Sequence, residues 1–189
     1  IIEYKKKNYK VIVVSSAMSG VTNELIKKSF EISDGFSESE HDVLVSSGEQ
    51  VACSLIAGRL IHEGYESRSW LSWQIPILTK GKYKNSRINQ INKGNIIEYL
   101  KKGGIPVVTG FQGINDENRI ATIGRGGSDA SAIMLAKFFK AERCIIYTDV
   151  EGVYTTDPNK LKNAKKIKVI SYEEMLEMAS LGAKVMQPV

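Results

Sequence analysis

The segment Val11-Ile12-Val13-Val14 is a short, uninterrupted run of β-branched apolar residues. Such a run is typical of a strand that is buried on both faces of a sheet. Two more runs of this kind follow, Ile105-Pro106-Val107-Val108-Thr109 and Cys144-Ile145-Ile146-Tyr147-Thr148. Segments with helical periodicity lie between them, so strands alternate with helices. We therefore predict an α/β fold, a three-layer αβα sandwich with a mainly parallel sheet.

The remaining elements follow from periodicity and turn residues. The predicted elements are a helix from Thr22 to Lys28, a helical stretch over Asp42–His62 interrupted at Gly48, a strand over Glu66–Trp70, an extended segment over Ile75–Leu78, a helix end at Asn95–Lys102, a hairpin over 110–123, an Ala-rich helix over Ser128–Phe139, and a helix that begins with a capping box of Ser171 and Glu174. Residues 80–90 are polar and predict no element. No repeat or low-complexity linker divides the chain, so we predict a single domain over residues 1–189.

Composition narrows the possible classes of protein. The net charge is +5, but the lysines are dispersed and form no basic stripe with aromatic residues, which argues against nucleic-acid binding. No apolar run reaches the ~18 residues of a membrane span, and no secretory signal is seen at the start. The two cysteines, Cys53 and Cys144, stand far apart in apolar stretches. We expect both to be buried thiols in a reducing compartment, the cytoplasm.

The segment Gly124-Arg125-Gly126-Gly127-Ser128-Asp129 leads from the hairpin into the Ala-rich helix. Glycines allow close approach of the backbone to a ligand, and the N–H groups at a helix start attract anions. Arg125 adds a planar fork that suits a carboxylate or a phosphate. The segment therefore predicts an anion site, with a plain turn capped by Ser128 as the alternative. It matches neither the Walker pattern nor the Rossmann fingerprint.

Three further segments combine strand or helix ends with polar side chains. Ser16–Asn23 joins a strand to a helix, with an ordinary cap at Thr22 as the alternative. Ser46–Gln50 contains Glu49, which is costly to bury unless a cation pairs with it, and which otherwise faces solvent. Tyr147–Pro158 follows the third apolar run and forms either a nucleotide loop or a structural one. In a parallel sheet, the strand ends in these segments meet on one rim, where ligands bind.

Taken together, these segments resemble the aspartate kinases of the amino-acid kinase superfamily. The matching motifs are Ser16-Ala17 through Asn23, Ser47-Gly48-Glu49, Gly110-Phe111-Gln112-Gly113, Ile123 through Asp129, Tyr147 through Pro158, and Ser171 through Val185. Each motif alone is weak, but their order and spacing agree over nearly the whole chain. The resemblance implies the amino-acid kinase-like fold.

The resemblance also implies roles for individual residues. Arg125 grips the α-carboxylate of L-aspartate, and Glu49 and Asp129 receive its amino group or order the groups that do. The other residues expected to line the aspartate pocket are Ser16, Ala17, Thr22, Phe111 and Ser128. The residues expected at the nucleotide are Thr148, Asp149 and Tyr154 on adenosine, Asp157 nearby, and Lys184 on the phosphates. Lys184 and Asp129 are the candidate catalytic residues.

The implied reaction transfers the γ-phosphoryl group of ATP, with Mg²⁺, to the β-carboxylate of aspartate. The product is 4-phospho-L-aspartate, at the first step towards lysine, threonine and methionine. A side-chain carboxylate has a reference pKa of about 3.9 and is already ionised near neutral pH, so the reaction needs no general base. Catalysis then consists of bringing two anions together and neutralising charge on the phosphoryl group. No protein residue is assigned to the metal.

The chain departs from the family pattern in three places. It lacks the Lys-Phe-Gly-Gly-Thr strand that holds phosphates and the ACT-type regulatory domains, and Gln187 stands where the family usually has His. We therefore expect a part of a longer, homo-oligomeric protein, and we expect these 189 residues to be inactive or nearly so by themselves. The alternatives are another amino-acid kinase, acting on glutamate, acetylglutamate or uridylate, and a non-catalytic regulatory subunit or remnant.

Overall fold

The computed structural model describes residues 1–124, 126–148, 152–156, 160–161 and 163–180. The chain divides into two compact units, Ile1–Cys144 and Ile145–Val189. Among the described residues, no helix combines the length and the apolar character needed to cross a membrane.

The first unit contains seven strands and five helices among its described residues. They are α1 (Ile2–Lys6), β1 (Val13–Ser15), α2 (Val21–Ile32), α3 (Glu38–His62), β2 (Ser67–Trp70), β3 (Ile77–Lys82), β4 (Asn85–Ile91), α4 (Gly94–Lys101), β5 (Ile105–Thr109), β6 (Gln112–Ile114), β7 (Ile120–Thr122) and α5 (Gly127–Phe139). The second unit contains α6 (Tyr172–Ser180) and an isolated antiparallel bridge between Tyr154 and Lys166.

A parallel three-stranded sheet in the order β1-β5-β2 forms the centre of the first unit. All five residues of the middle strand β5 are buried, as its β-branched run predicts. Side chains alternate across a strand, so Val107 packs with Cys53 of α3, while Val108 packs with Ile96 of α4 and Leu135 of α5. Helices cover both faces of this sheet, which confirms the predicted α/β sandwich.

A second sheet has four strands in the order β4-β3-β6-β7. The predicted hairpin over 110–123 is confirmed as β6 and β7, which pair antiparallel. The β3–β4 hairpin was not predicted, because β4 buries only Ser86 and Ile91 and its exposed polar residues obscure the alternation. Its two strands are joined by the two-residue turn Tyr83-Lys84, since Lys82 pairs with Asn85.

Helix α3 is continuous from Glu38 to His62, and it runs through Gly48, where the sequence predicts an interruption. A glycine inside a helix costs only about 1 kcal/mol, which tertiary packing can offset. A Cβ atom at Gly48 would lie 2.9 Å from the Cβ atom of Ala17 and 3.2 Å from Cγ1 of Val21. Gly48 therefore lets the segment after β1 approach the helix closely.

The predicted third buried strand, residues 144–148, is wrong. These residues have no strand structure, and Cys144, Ile145 and Tyr147 are exposed. An apolar run indicates burial, but a strand also needs a neighbour that accepts and donates backbone hydrogen bonds, which local sequence does not reveal. The buried-thiol prediction is likewise wrong for Cys144 and confirmed for Cys53, whose Sγ donates to the Val107 carbonyl at 2.9 Å.

The capping box at the start of α6 is confirmed. The Ser171 hydroxyl accepts a hydrogen bond from the Glu174 N–H at 3.1 Å, and the Glu174 carboxylate accepts one from the Ser171 N–H at 2.9 Å. These bonds favour the ionised carboxylate and hold the pKa of Glu174 below its usual value.

Candidate substrate-binding site

A cavity of about 420 Å³ lies at the carboxyl ends of β1 and β5, within the first unit. Its lining consists of Ser16, Thr22, Asn23, Ile26, His41, Glu49, Lys84, Phe111, Thr122, Gly124, Gly126, Gly127, Ser128 and Asp129. The structure thus brings together most of the residues that the sequence predicts for the aspartate pocket.

Parallel pairing of β1 with β5 sets the rim of the cavity. Ser15 pairs in register with Thr109, and the N–H of Gly110 donates to the Ser15 carbonyl at 3.0 Å. Both strands therefore end at the same level, and the segments that follow them meet. The Ser128 hydroxyl lies 3.2 Å from the Ser16 hydroxyl, which joins the first of these segments to α5.

The first turn of α5 forms one wall. The helix is capped by Gly126, which has a left-handed φ of 68°, and a Cβ atom at Gly127 would lie 2.7 Å from Cδ2 of Phe111. Phe111 itself has φ 65°, and its N–H donates to Ser131 Oγ at 3.0 Å. This close packing places the N-terminal end of α5, where the helix dipole is positive, against the cavity.

Glu49 is buried at 2 % exposure in the interior of α3. Its Oε1 accepts a hydrogen bond from the Ala17 N–H at 3.1 Å, whereas its Oε2 has no hydrogen-bond partner among the described residues. Burial raises the pKa of Glu49 to about 7, against the opposing effect of the Ala17 hydrogen bond. A buried, unpaired carboxylate oxygen beside a cavity is a site that an ammonium group would satisfy.

Asp129 is the second carboxylate in the cavity lining, and it is half-buried in the first turn of α5. Burial raises its pKa above the ordinary value. Ala17 is not a lining residue; it contributes its N–H to Glu49 and its Cβ to the contact with Gly48.

Sequence reasoning missed a buried carboxylate that organises the site. Asp42 of α3 is fully buried and accepts hydrogen bonds from the Lys84 N–H at 3.0 Å, the Thr122 N–H at 2.7 Å and the Thr122 hydroxyl at 2.9 Å. It therefore ties α3 to the β3–β4 turn and to β7. The available signal was an acidic residue two helical turns before Glu49 in an apolar stretch, since residues at that spacing share a face.

Two basic side chains in the lining, His41 and Lys84, were also missed. His41 lies next to Asp42, with Nδ1 at 3.5 Å from Oδ1. Neither residue belongs to a motif, and nothing in their local sequence separates them from the other charged residues on helix and hairpin surfaces.

Several predicted site residues lie outside the described residues: Arg125, Asp149, Asp157 and Lys184. Of the predicted nucleotide residues, Thr148 is exposed and Tyr154 is half-buried in the bridge with Lys166. Thr148 does not stand at the end of a strand. Their assignment to adenosine stays a prediction. Across the described part of the chain, no cluster of three or more His, Cys, Asp or Glu residues could hold a metal ion.

The cavity thus lies in an α/β sandwich, beside the start of α5, and has two carboxylates in its described lining. The chain belongs to the amino acid kinase family, whose sequence model matches residues 1–189.

Among curated relatives, the chain is 49% identical to the aspartokinase of Rickettsia conorii over 185 residues, 96% of this chain and 46% of the relative. It is 46% identical to aspartokinase 2 of Bacillus subtilis, over 99% of this chain and 46% of the relative. The chain thus spans about half the length of the curated relatives it matches.

Solved structures give the same picture of the fold. Escherichia coli aspartokinase III, crystallised in complex with aspartate and ADP, matches with a TM-score of 0.84 at 26% identity, over 94% of this chain and 51% of that one. Aspartate kinase from Synechocystis matches with a TM-score of 0.82 at 39% identity, over 99% of this chain and 31% of that one. These matches confirm the predicted fold class.

Proposed function

We propose that this chain carries the acceptor site of an aspartate kinase, which transfers the γ-phosphoryl group of ATP to the β-carboxylate of L-aspartate. The observation that carries the proposal is the buried Glu49 carboxylate, whose Oε2 faces no partner among the described residues while the residue lines a cavity at the strand ends. The curated relatives named aspartokinase support the same reaction.

Recognition of aspartate uses groups of both signs in the cavity. The α-ammonium group of the substrate pairs with Glu49 and Asp129, the two carboxylates of the described lining. The carboxylates of the substrate lie towards the first turn of α5, where N–H groups and the hydroxyl of Ser128 donate. Arg125 grips the α-carboxylate, and Ser16, Thr22 and Phe111 complete the wall.

The chemistry requires positioning and charge neutralisation rather than proton removal. The β-carboxylate is already ionised at neutral pH and acts directly as the nucleophile. When bound, ATP supplies the phosphoryl group and Mg²⁺ offsets its charge. Within this chain, Thr148, Asp149, Tyr154 and Asp157 are assigned to the nucleotide and Lys184 to its phosphates.

The same proposal includes the domain organisation, cellular location, assembly and pathway of the enzyme. We place both compact units in one catalytic domain of a cytoplasmic, homo-oligomeric enzyme. Its reaction forms an acyl phosphate, 4-phospho-L-aspartate, at the first step of lysine, threonine and methionine synthesis.

Calorimetric titration of the 189-residue chain with L-aspartate, L-glutamate and UMP tests the acceptor directly, because binding does not depend on turnover. We expect aspartate to bind at least ~10-fold more tightly than glutamate, because one extra methylene in a fitted pocket is worth about 1–3 kcal/mol. A coupled ADP-release assay with the same three acceptors measures turnover. Binding or phosphorylation of glutamate or UMP without a response to aspartate would replace this proposal with another kinase of the family.

A further inference from the structure

Lys84 lines the cavity from the turn between β3 and β4, with a backbone φ of 63°. It is the second residue of a two-residue turn, a position with positive φ that favours glycine or asparagine. A lysine here holds a strained backbone conformation. Strain of this kind at a cavity wall points to a use of the side chain rather than to local stability.

Two contacts hold the Lys84 backbone in place. Its N–H donates to both carboxylate oxygens of the buried Asp42, at 3.2 Å and 3.0 Å. Its carbonyl oxygen lies 3.1 Å from the position that a Cβ atom on Gly124 would occupy, so the turn packs directly against the segment that leads into α5. The strained turn is thus fixed between α3 and the glycine-rich segment.

Among the charged residues of the described lining, Lys84 has an ammonium group that is available to pair with an anionic ligand. The described lining contains the carboxylates of Glu49 and Asp129 and the basic groups of His41 and Lys84. The Lys84 Nζ atom lies 3.8 Å from the Glu38 carboxylate, in a pair whose side chains are 41% and 62% exposed. Such an exposed pair is worth little, so a bound anion can draw the ammonium group away from Glu38.

We propose that Lys84 is a substrate-binding residue that determines specificity for an acidic acceptor by pairing with one of its carboxylates. This assignment rests on the proposed function. An amino acid with two carboxylates brings two negative charges and one positive charge into the cavity. Glu49 and Asp129 match the positive charge, and Lys84 on the turn supplies a cation for a negative one.

The test compares two lysines with the same backbone conformation. Lys140, the C-cap residue of α5, has φ 52° and lies outside the cavity lining. Replacing either lysine by glycine relieves the left-handed strain, so the Tm of both Lys84→Gly and Lys140→Gly should be unchanged or rise by about 1–3 °C. Aspartate affinity, measured by calorimetry, should fall about tenfold in Lys84→Gly and stay unchanged in Lys140→Gly.

Two more variants separate charge from conformation. Lys84→Met keeps the backbone strain and the aliphatic stem and should lose aspartate affinity like Lys84→Gly. Lys84→Arg keeps the charge and should retain affinity within about threefold of the unsubstituted chain.

Aspartate binding by Lys84→Gly and Lys84→Met at unchanged affinity would overturn the assignment of Lys84 while leaving the proposed function standing. A loss of affinity in Lys140→Gly equal to that in Lys84→Gly would also overturn it. If the unsubstituted chain binds no aspartate, the proposed function fails, and this assignment fails with it.

Discussion

At the scale of single residues, Glu49 is a carboxylate whose protonation is set by its burial. The residue lies inside α3, and only one of its oxygens has a partner among the described residues. Its pKa rises from the ordinary value of 4.5 to about 7 because the charged form loses solvation. Without a ligand, the folded protein therefore holds a proton there over a pH range in which the unfolded chain does not.

This proton linkage predicts the pH dependence of stability. Between pH 4.5 and 7 the folded state binds the Glu49 proton and the unfolded state has released it, so the free energy of unfolding falls as pH rises through this window. The loss is roughly 3 kcal/mol and levels off above the folded-state pKa. In Glu49→Gln this slope should become markedly shallower in urea unfolding at a series of pH values, with a remainder from Asp129, whose pKa burial also raises. Glu31→Gln, at an exposed position paired with Lys27, should keep the full slope.

Aspartate affinity should change in the opposite direction. Only the ionised Glu49 attracts an ammonium group, so affinity should increase roughly tenfold between pH 5.5 and 7.5, as the carboxyl group loses its proton. Calorimetry at these two pH values measures the change. An affinity in the unsubstituted chain that is constant across this range, or that falls, would show that Glu49 does not receive the ammonium group.

At the scale of secondary-structure elements, α3 supplies two functions from one continuous helix. Its buried face carries Asp42, which fixes the β3–β4 turn and β7, and Glu49, which faces the cavity. Gly48 lies between them and allows the segment after β1 to pack against the helix. The helix therefore sets the distance between the first strand end and the turn that carries Lys84.

Gly48 and Gly58, both in α3, provide a test position and a matched control for this packing. In Gly48→Ala the new Cβ atom would meet Ala17 Cβ at 2.9 Å, so we expect a loss of about 1–3 kcal/mol in the free energy of unfolding and weaker aspartate binding. Gly58 has nothing within 4 Å of an added Cβ atom, so Gly58→Ala should be stabilised by about 0.5–1 kcal/mol with unchanged binding. Urea unfolding and calorimetry measure both effects. Destabilisation of both variants alike would contradict the close-approach role of Gly48.

The buried carboxylate of Asp42 leads to a second prediction about the stability of these elements. Asp42→Asn removes the negative charge and replaces one acceptor oxygen by an NH2 group, so the buried hydrogen bonds from Lys84 and Thr122 would be weakened or lost. We expect a loss of about 2–3 kcal/mol in the free energy of unfolding. Glu40→Gln is the control, because its ion pair with Arg119 is largely exposed and should matter by less than about 1 kcal/mol. Comparable losses in the two variants would refute the special role of the buried carboxylate.

At the scale of the whole molecule, the cavity belongs to the unit Ile1–Cys144. Its lining comes from the segment after β1, α2, α3, the β3–β4 turn, the segment after β5, β7 and the start of α5. A ligand bound there holds distant segments of one unit together, and a ligand at 100 times its Kd stabilises the folded state by about 2.7 kcal/mol.

Hydrogen exchange with and without L-aspartate tests this arrangement. Amides that exchange by local opening should slow in residues 16–23, in 46–50 and in the first turn of α5, because the ligand contacts these segments. Helix α4 lines no part of this cavity, so its locally exchanging amides should be unaffected. Equal protection of α4 and of the cavity segments would argue against aspartate binding at this cavity.

Local sequence was sufficient to predict a secondary-structure element where a single physical preference, such as burial of β-branched residues or helix capping, determines that element. The β-branched run at β5, the hairpin of β6 and β7, and the capping box at Ser171 appear as predicted. The first run forms a strand only over Val13–Ser15, and its two valines are half-buried rather than buried on both faces. The motif residues Ser16, Thr22, Glu49, Phe111, Ser128 and Asp129 were predicted as one site and lie together in one cavity. Ser16 and Phe111 follow strand ends, which must share a rim in a parallel sheet. Glu49 lies inside α3 and reaches the cavity through tertiary packing.

Only the tertiary structure decided the rest, because those features depend on contacts between distant segments. The run at 144–148 is apolar enough for a strand, but no neighbouring strand pairs with it among the described residues. The Asp42 carboxylate reaches Lys84 and Thr122, 42 and 80 residues further along the chain, and so places Lys84 in the cavity lining. The sequence by itself determined the central strand β5, the motifs and the acidic residues of the site; the fold determined which basic residues join them in the cavity lining.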